Sequence, residues 1–327
     1  GMDAANASHY DGATSLAEAV TVALEVSRRK RTKIVLSGNL HPMYRQVVRT
    51  YHQGSRITLH EDARTSEDLL AQIDDQTAMV AVGYPNYFGR IEDVAAIAAK
   101  ARSAGALMVV VANPMALALF KSPGTLGADI VVGEGQPLGI PLSFGGPYLG
   151  YFACREEYVR KIAGRIVGET VDADGKRAYV MTLRPREQDI RRDKATSNIC
   201  TNQGLMALAA TVYLSLMGKS GLRKAAELCY HKAHYAASQI NALPGYSVEM
   251  EGTFFNEFVV KCPRPVSEIN QALIEEGIIG GVDLGAEDPS MKDHMLIAVT
   301  EMNRREEIDT LVRVFETVAE ARERVQE

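Results

Sequence analysis

The chain has 327 residues, of which 46% are hydrophobic and 24% are charged, and these proportions are typical of a globular protein. Its net charge of -5, its 6% aromatic content and its lack of tryptophan argue against nucleic acid or an anionic membrane surface as a partner. A chain of this length is expected to form one large domain and a smaller one.

Strands and helices alternate along the first part of the chain. Helices are predicted at residues 14–28, 41–52, 66–73 and 91–103, and strands at residues 33–36, 55–59, 77–83, 107–112 and 129–132. Because each strand is apolar on both faces, we expect a mostly parallel sheet covered by helices. Residues 149–154 are expected to pair antiparallel with this sheet, and Asp174-Gly175 predicts a hairpin between residues 166–169 and 177–183.

Two long helices follow, and the pattern then changes after Pro244. The helices are predicted at residues 202–217 and 221–242, the later strands at residues 247–250, 254–260 and 294–299, and the later helices at residues 266–276 and from Arg304 onward. This order predicts a small α+β domain. We therefore expect a large α/β domain at residues 1–220, incomplete at its N-terminus, and a small α+β domain at residues 221–327.

The sequence was also searched for targeting and membrane-spanning segments. The longest apolar stretch, residues 104–120, is interrupted by Asn113-Pro114 and is too short to span a bilayer. No signal peptide is recognisable, and the opening residues resemble the middle of a domain, so we expect Gly1 to be a cloning remnant or the chain to be a fragment. The four cysteines are widely spaced, which predicts reduced thiols and a cytoplasmic location.

The loop after the strand at residues 129–132 is where ligands are expected in a parallel sheet. It offers Glu134, Gln136 and Ser143, and the chain has no lysine between Lys121 and Lys161. Glu134 with Gln136 is half of an acid–base pair at most, because nothing nearby in the sequence supplies the other half.

Three other motifs favour structural interpretations. The basic run at residues 28–33 suits the C-terminal end of a helix. The DADGK segment begins like a calcium loop, but its twelfth position is Leu183 where a bidentate glutamate is needed. His231 and His234 lie one helical turn apart without a third metal ligand in the sequence nearby, which favours a solvated helix face.

Two polar stretches are harder to explain as scaffold. Residues 4–15 place small polar side chains and a glycine directly before a helix, which suits an anion-binding cradle. Residues 184–203, the basic connector, hold five basic residues and are followed by an apolar helix. The hydroxyl and amide residues at the end of the basic connector are Thr196, Ser197, Asn198, Thr201 and Asn202. An ordinary capped helix start with a charged lead-in remains an equal alternative for the basic connector.

The basic connector also carries a resemblance. The segment REQDIRRDKATSNICTNQGLMALAATVYLSLMG resembles subunit 1 of the glycine cleavage system P-protein family, the decarboxylating glycine dehydrogenases. ANASHYDGATSLAEA, PNYFGRIED, GADIVVGEGQPLGIPLSFGGP and FFNEFVV match the same family in the same order. The resemblance therefore covers essentially the whole chain.

The resemblance implies an α/β fold of the pyridoxal-phosphate-dependent transferase type, which is aspartate-aminotransferase-like. It also implies a heteromeric enzyme of glycine catabolism. In such an enzyme, subunit 2 carries the Schiff-base lysine, the pair decarboxylates glycine, and the aminomethyl group passes to the lipoyl arm of the H-protein. The family's lysine position corresponds here to Pro137, and the position of its acidic residue lies near Asn113.

We therefore expect no catalytic residue and no metal ligand in this chain, and we expect pyridoxal phosphate on the partner subunit. The degenerate phosphate loop would comprise Asn6, Ser8, Asp11 and Thr14. Expected contacts to the partner's cofactor come from Lys194, Thr196, Ser197 and Asn198. Two alternatives stay open: an independent pyridoxal-phosphate enzyme of the aminotransferase or desulfurase type that uses Lys194, and a non-catalytic assembly subunit.

Overall fold

The computed structural model describes residues 1–200, 202–250 and 252–326. The chain divides into two compact units. The first unit comprises Gly1–Asn86 and Glu92–Lys219, and the second comprises Tyr87–Ile91 and Ser220–Glu327. The short segment Tyr87–Ile91 therefore belongs with the C-terminal residues, although the sequence placed it in the large domain. The backbone N–H of Ile91 donates to the carbonyl of Thr253 at 3.2 Å, which explains this assignment.

The first unit is built on a seven-stranded sheet covered by helices. Its elements in chain order are β1 (Ala4–Ala5), α1 (Gly12–Val26), β2 (Lys33–Leu36), α2 (Pro42–His52), β3 (Thr58–His60), α3 (Ser66–Gln72), β4 (Thr77–Tyr84), α4 (Val94–Ala104), β5 (Leu107–Ala112), β6 (Ile130–Glu134) and β7 (Gly150–Cys154). The spatial strand order is β1-β7-β6-β5-β4-β2-β3. The neighbouring pairs β3-β2, β2-β4, β4-β5 and β5-β6 are parallel. Strand β7 runs antiparallel to both β6 and β1. The predicted mostly parallel sheet and its antiparallel strand are confirmed.

Helix α1 lies at the centre of the first unit's core. Its apolar residues Leu16, Val20, Ala23 and Leu24 follow a helical spacing and are all at most 4% exposed. They pack with the central strands in one hydrophobic cluster. Such burial normally excludes ionisable side chains, yet Glu18 on the same helix is only 3% exposed. That residue therefore needs a specific explanation.

A two-stranded ribbon and a short helix follow the large sheet. The ribbon pairs β8 (Ile166–Val171) with β9 (Arg177–Thr182) antiparallel, and the hairpin predicted at Asp174-Gly175 is confirmed. Helix α5 (Gln188–Arg191) lies within the basic connector.

Helix α6 (Gly204–Asn241) replaces the two predicted helices with one that is interrupted at Gly218. The backbone there has φ 59° and ψ -175°, which is a left-handed φ that glycine tolerates better than other residues. Among the described residues, α6 is the one helix long and apolar enough to cross a membrane, judged by length and composition alone. Its Ala210 packs against Ile140 and Leu149 of the first unit.

The second unit contains a four-stranded antiparallel sheet and two further helices. Its later elements are β10 (Ser247–Val248), β11 (Glu257–Lys261), α7 (Val266–Glu275), β12 (Val282–Asp283), β13 (His294–Ala298) and α8 (Arg305–Gln326). The strand order is β10-β11-β13-β12. The core combines one face of this sheet with the C-terminal part of α6 and with α7 and α8. The predicted α+β character of this region is confirmed, with the short strand β12 as an addition.

Candidate functional site

The carboxyl ends of the parallel strands meet at one edge of the large sheet, where ligands are expected. Glu134 is the last residue of β6 at this edge. Its carboxylate accepts three backbone N–H groups, from Gly12 at 3.1 Å, from Gln136 at 2.9 Å and from Leu149 at 3.0 Å. Burial raises the pKa of the Glu134 carboxyl, and these three hydrogen bonds oppose the increase. Glu134 thus joins the first turn of α1 to the loop after β6.

The other polar groups of the loop after β6 are also engaged. The amide of Gln136 donates to the carbonyl of Ile140 at 2.6 Å, and the hydroxyl of Ser143 donates to the carbonyl of Pro141 at 3.3 Å. Glu134 and Gln136 therefore fix the conformation of the loop. Their hydrogen bonds account for the presence of both side chains without an acid–base role.

Two half-buried tyrosines, Tyr44 and Tyr151, lie at this edge of the sheet. Burial raises the pKa of Tyr44, and the negative charges of Glu134 and Asp11 raise it further. Burial likewise raises the pKa of Tyr151, whose hydroxyl donates to the carbonyl of Ala112 at the end of β5. Both phenols are therefore protonated and act as hydrogen-bonding groups rather than as bases. Sequence analysis did not single out either tyrosine.

The loop before α1, which was expected to be a degenerate phosphate loop, is held by contacts within the chain. Asp11 caps α1, because its carboxylate accepts the N–H of Thr14 at 2.7 Å while the Thr14 hydroxyl accepts the N–H of Asp11 at 3.1 Å. The amide of Asn6 donates to the carbonyl of Ala163 at 3.0 Å, and Ser8 is buried. The N–H groups of Gly12 and Thr14 therefore already bind the carboxylates of Glu134 and Asp11.

The fit of pyridoxal phosphate to this edge can now be tested on the residues present. Two carboxylates at the start of α1 repel a phosphate group and occupy N–H groups that would bind it. Pro137 offers no amine to hold the cofactor's aldehyde. Asn113 uses its side-chain oxygen to accept the N–H of Met115 at 2.9 Å, so it caps the turn that follows. The residues of this edge do not fit the cofactor.

A carboxylate with three side-chain hydrogen bonds, which the sequence did not indicate, lies near the ends of β2 and β4. One oxygen of Glu92 accepts the Ser37 hydroxyl at 3.4 Å, the Asn39 amide at 3.3 Å and the Asn86 amide at 3.1 Å. Burial raises the pKa of Glu92, and the three hydrogen bonds oppose the increase. The one available signal was the acidic end of the PNYFGRIED segment, which follows a buried strand.

The basic connector is anchored at several points. The guanidinium of Arg186 donates to the carbonyls of Ile162 and Gly164. The Gln188 amide donates to the carbonyl of Asn198 at 3.1 Å, and the Asn202 amide donates to the carbonyl of Ser8 at 3.0 Å. These contacts join the basic connector to the residues before α1 and before the ribbon.

The four residues predicted to contact the partner's cofactor differ in their surroundings. Lys194, Thr196 and Asn198 are exposed, whereas Ser197 is half-buried. The Ser197 hydroxyl donates to the Glu18 carboxylate at 2.7 Å and accepts the N–H of Ile199 at 3.1 Å. Ser197 is therefore engaged within the chain, while the other three side chains face solvent. Thr201 lies outside the described residues.

Comparison with known proteins decides the family. The family model of the glycine cleavage system P-protein matches residues 1–315 of the chain. The chain belongs to the glycine cleavage system P-protein family. A protein of Thermomicrobium roseum, named glycine dehydrogenase (decarboxylating) subunit 1, is 56% identical over 95% of this chain and 71% of its own length. A protein of Desulforamulus reducens with the same name is 54% identical over 95% of this chain and 70% of its own length.

Solved structures agree with this assignment. The crystal structure of a glycine decarboxylase P-protein in inhibitor-bound form superposes with a TM-score of 0.90 and 39% identity, over 97% of this chain and 72% of that one. A cysteine desulfurase of Escherichia coli shares the fold with a TM-score of 0.69 at 16% identity, over 97% of this chain and 79% of that one. The present chain thus has the fold of the pyridoxal-phosphate-dependent enzymes, as the resemblance implied.

Proposed function

We propose that this chain is subunit 1 of the glycine decarboxylase of the glycine cleavage system. With glycine dehydrogenase subunit 2 it decarboxylates glycine and transfers the aminomethyl group to the lipoyl group of the H-protein. The observation that carries the activity is the 56% identity, over 95% of the chain, to a glycine dehydrogenase subunit 1. Its cysteines are free thiols, which suits a cytoplasmic enzyme.

The chain is inactive alone in this proposal because its own sheet edge does not fit the cofactor. Pro137 stands at the lysine position, and the carboxylate of Glu134 occupies the N–H of Gly12 at the start of α1. On the partner subunit, pyridoxal phosphate would supply an electron sink for the loss of the glycine carboxylate. The role left to this chain is to complete the partner's site and to exclude water from it.

The side chains best placed for that role are Lys194, Thr196 and Asn198 on the basic connector. They are exposed and come from a segment with five basic residues, which suits an anionic target such as a phosphate or a carboxylate. A charge-assisted contact of this kind contributes about 1.5–3 kcal/mol. Arg184 is a poorer candidate because its guanidinium already pairs with Asp189.

The two alternatives, an independent enzyme that uses Lys194 and a non-catalytic assembly subunit, have no comparable observation in their favour. Lys194 is exposed in the 3₁₀ turn Arg192–Lys194 of the basic connector, and nothing in its surroundings favours an independent enzyme built on it. A purely structural role predicts that changes to the exposed connector residues leave the enzyme's activity intact.

The test is glycine–bicarbonate exchange by the assembled enzyme with lipoylated H-protein and pyridoxal phosphate. We expect exchange only when both subunits are present. Lys194→Ala should lower exchange by roughly tenfold or more, the scale of one lost charged contact. Thr196→Ala should lower it in the same direction, and Lys121→Ala, at another exposed lysine, is the matched control. Unchanged exchange in the Lys194 and Thr196 variants would show that the basic connector has only a structural role. Exchange by this chain alone would refute the proposal itself.

A further inference from the structure

A cleft in the first unit lies apart from the carboxyl edge of the sheet. It has a cavity volume of about 80 Å³, opens to solvent, and lies between α1, the turn before β8 and the basic connector. Its buried lining residues include Glu18, Glu187, Ile162 and Ile199. We call these four residues the floor of the cleft. A floor with two carboxylates is unusual, because glutamate is seldom buried without a partner.

Each floor carboxylate has one oxygen that forms no hydrogen bond within the described part of the chain. Glu18 is 3% exposed, and its Oε1 accepts the Ser197 hydroxyl while its Oε2 has no hydrogen-bond partner in the described part of the chain. Glu187 is 5% exposed, and its Oε1 is likewise without a hydrogen bond among the described residues. That oxygen forms an ion pair with the Arg186 guanidinium at 3.6 Å. The Arg186 guanidinium is engaged elsewhere, with the carbonyls of Ile162 and Gly164.

The chemistry of the floor defines what it can bind. A carboxylate oxygen accepts hydrogen bonds and cannot donate them, so two oxygens in one cleft that form no hydrogen bond require a donor. A buried unpaired carboxylate is also destabilised by the loss of water, and a positively charged donor offsets that cost best. A primary ammonium group has three N–H donors and one positive charge, so its chemistry matches the two carboxylates that line the cleft.

The rim of the cleft has the opposite charge. Arg160, Lys161 and Arg191 line the cleft and are exposed. Glu25 also lines it, but its carboxylate is paired with Arg29 at 3.2 Å. The rim therefore attracts the anionic end of a ligand, while the floor attracts a cationic end.

We propose that this cleft binds a small amino acid as its zwitterion, with the ammonium group on Glu18 and Glu187 and the carboxylate among the rim cations. The site is separate from the carboxyl edge and does not depend on the proposed function. An occupant would join α1 to the basic connector, because Glu18 belongs to the first and Glu187 to the second. Binding would thereby order the connector that carries Lys194 and Thr196.

Protonation competes with this ligand. Burial raises the pKa of Glu18 to about 7, and the hydrogen bond from Ser197 opposes the increase. The other titratable or charged groups around Glu18 are Glu25, Tyr51, Arg160, Lys161, Arg186, Glu187 and Arg191. An ammonium group that binds near neutral pH should displace the Glu18 proton, so amino-acid uptake should release protons to the buffer.

The experiment is calorimetric titration of the 327-residue chain alone with glycine, without pyridoxal phosphate, in two buffers of different ionisation enthalpy. We expect saturable binding with proton release. Glu18→Gln should weaken binding by at least about tenfold and abolish the proton release. Arg160→Ala combined with Arg191→Ala should weaken the binding of glycine but not of methylammonium. Glu92→Gln, at a half-buried carboxyl outside the cleft whose pKa is also raised, is the matched control and should bind glycine as the parent does.

Three results would overturn the proposal. The first is the absence of saturable glycine binding by the parent chain. The second is equal affinity for methylammonium and glycine, which would define a simple cation site. The third is unchanged binding by Glu18→Gln and by Glu187→Gln, each checked for folding by circular dichroism. Because two separate floor variants are used, the failure of one to fold does not remove the test.

Discussion

The burial of Glu18 predicts a specific dependence of stability on pH. Burial raises the pKa of this carboxyl from its ordinary 4.5 to about 7, so the folded chain favours the protonated form. Between these two pH values the folded state binds more protons than the unfolded state. The contribution of Glu18 to the free energy of unfolding is therefore fully present below about pH 4.5 and is lost as the pH rises through about 7.

The size of the effect follows from the same numbers. The interval from 4.5 to about 7 spans about 2.5 pH units, and each unit corresponds to about 1.4 kcal/mol, so the total is about 3 kcal/mol. Glu18→Gln keeps an acceptor for the Ser197 hydroxyl and is neutral at every pH. We expect the variant to gain about 3 kcal/mol over the parent chain between about pH 4.5 and pH 8.

The assay is urea unfolding followed by circular dichroism at a series of pH values, without added amino acid. The quantity to compare is the difference between variant and parent, because loss of water also raises the pKa of the half-buried Glu257 in the second unit to about 7, which affects both chains equally. Glu169→Gln, at an exposed position of β8, is the control and should show no such trend. A constant difference between Glu18→Gln and the parent across this pH range would refute the reasoning.

Three further outcomes are expected. Glu134→Ala should lower the free energy of unfolding by about 3 kcal/mol or more, because three N–H groups lose their acceptor; an unchanged urea midpoint would contradict this. Borohydride reduction of the chain with pyridoxal phosphate should leave no lysine stoichiometrically labelled on peptide mapping, and a full label on Lys194 would count against the proposed division between subunits. Light scattering should show concentration-dependent association, because Leu208 and Leu216 on α6 are 58% and 82% exposed; Leu208→Lys with Leu216→Lys should reduce it, and a parent chain that stays monomeric would show the prediction to be wrong.

Local pattern was sufficient for most of the regular structure. Strands β2 and β5 begin and end where the sequence predicted, because an apolar run bounded by polar residues or glycine defines both ends of a buried strand. The turn at Asp174-Gly175 is likewise held by a contact between near neighbours, since the N–H of Lys176 donates to the Asp172 carboxylate. The two predicted long helices are one interrupted helix, since the irregular backbone is confined to Gly218 and the turns on either side continue.

The roles of the acidic residues required the tertiary structure. Glu134 binds the N–H of Gly12, which lies 122 residues away, and Ser197 binds Glu18 across 179 residues. In sequence, Glu134 was at most half of an acid–base pair, and Glu18 was not singled out. The folded chain makes the first a structural acceptor and places the second beneath the basic connector.

The sequence by itself determined the family, the alternation of strands and helices, and the absence of a lysine after β6. These properties are carried by residue identity and short-range spacing, which need no knowledge of distant contacts. Tertiary structure decided which carboxylates have all their hydrogen bonds within the described part of the chain and which, such as that of Glu18, do not. The physical reason is that the cost of burying a charge depends on the groups that folding brings around it, and those groups come from distant parts of the chain.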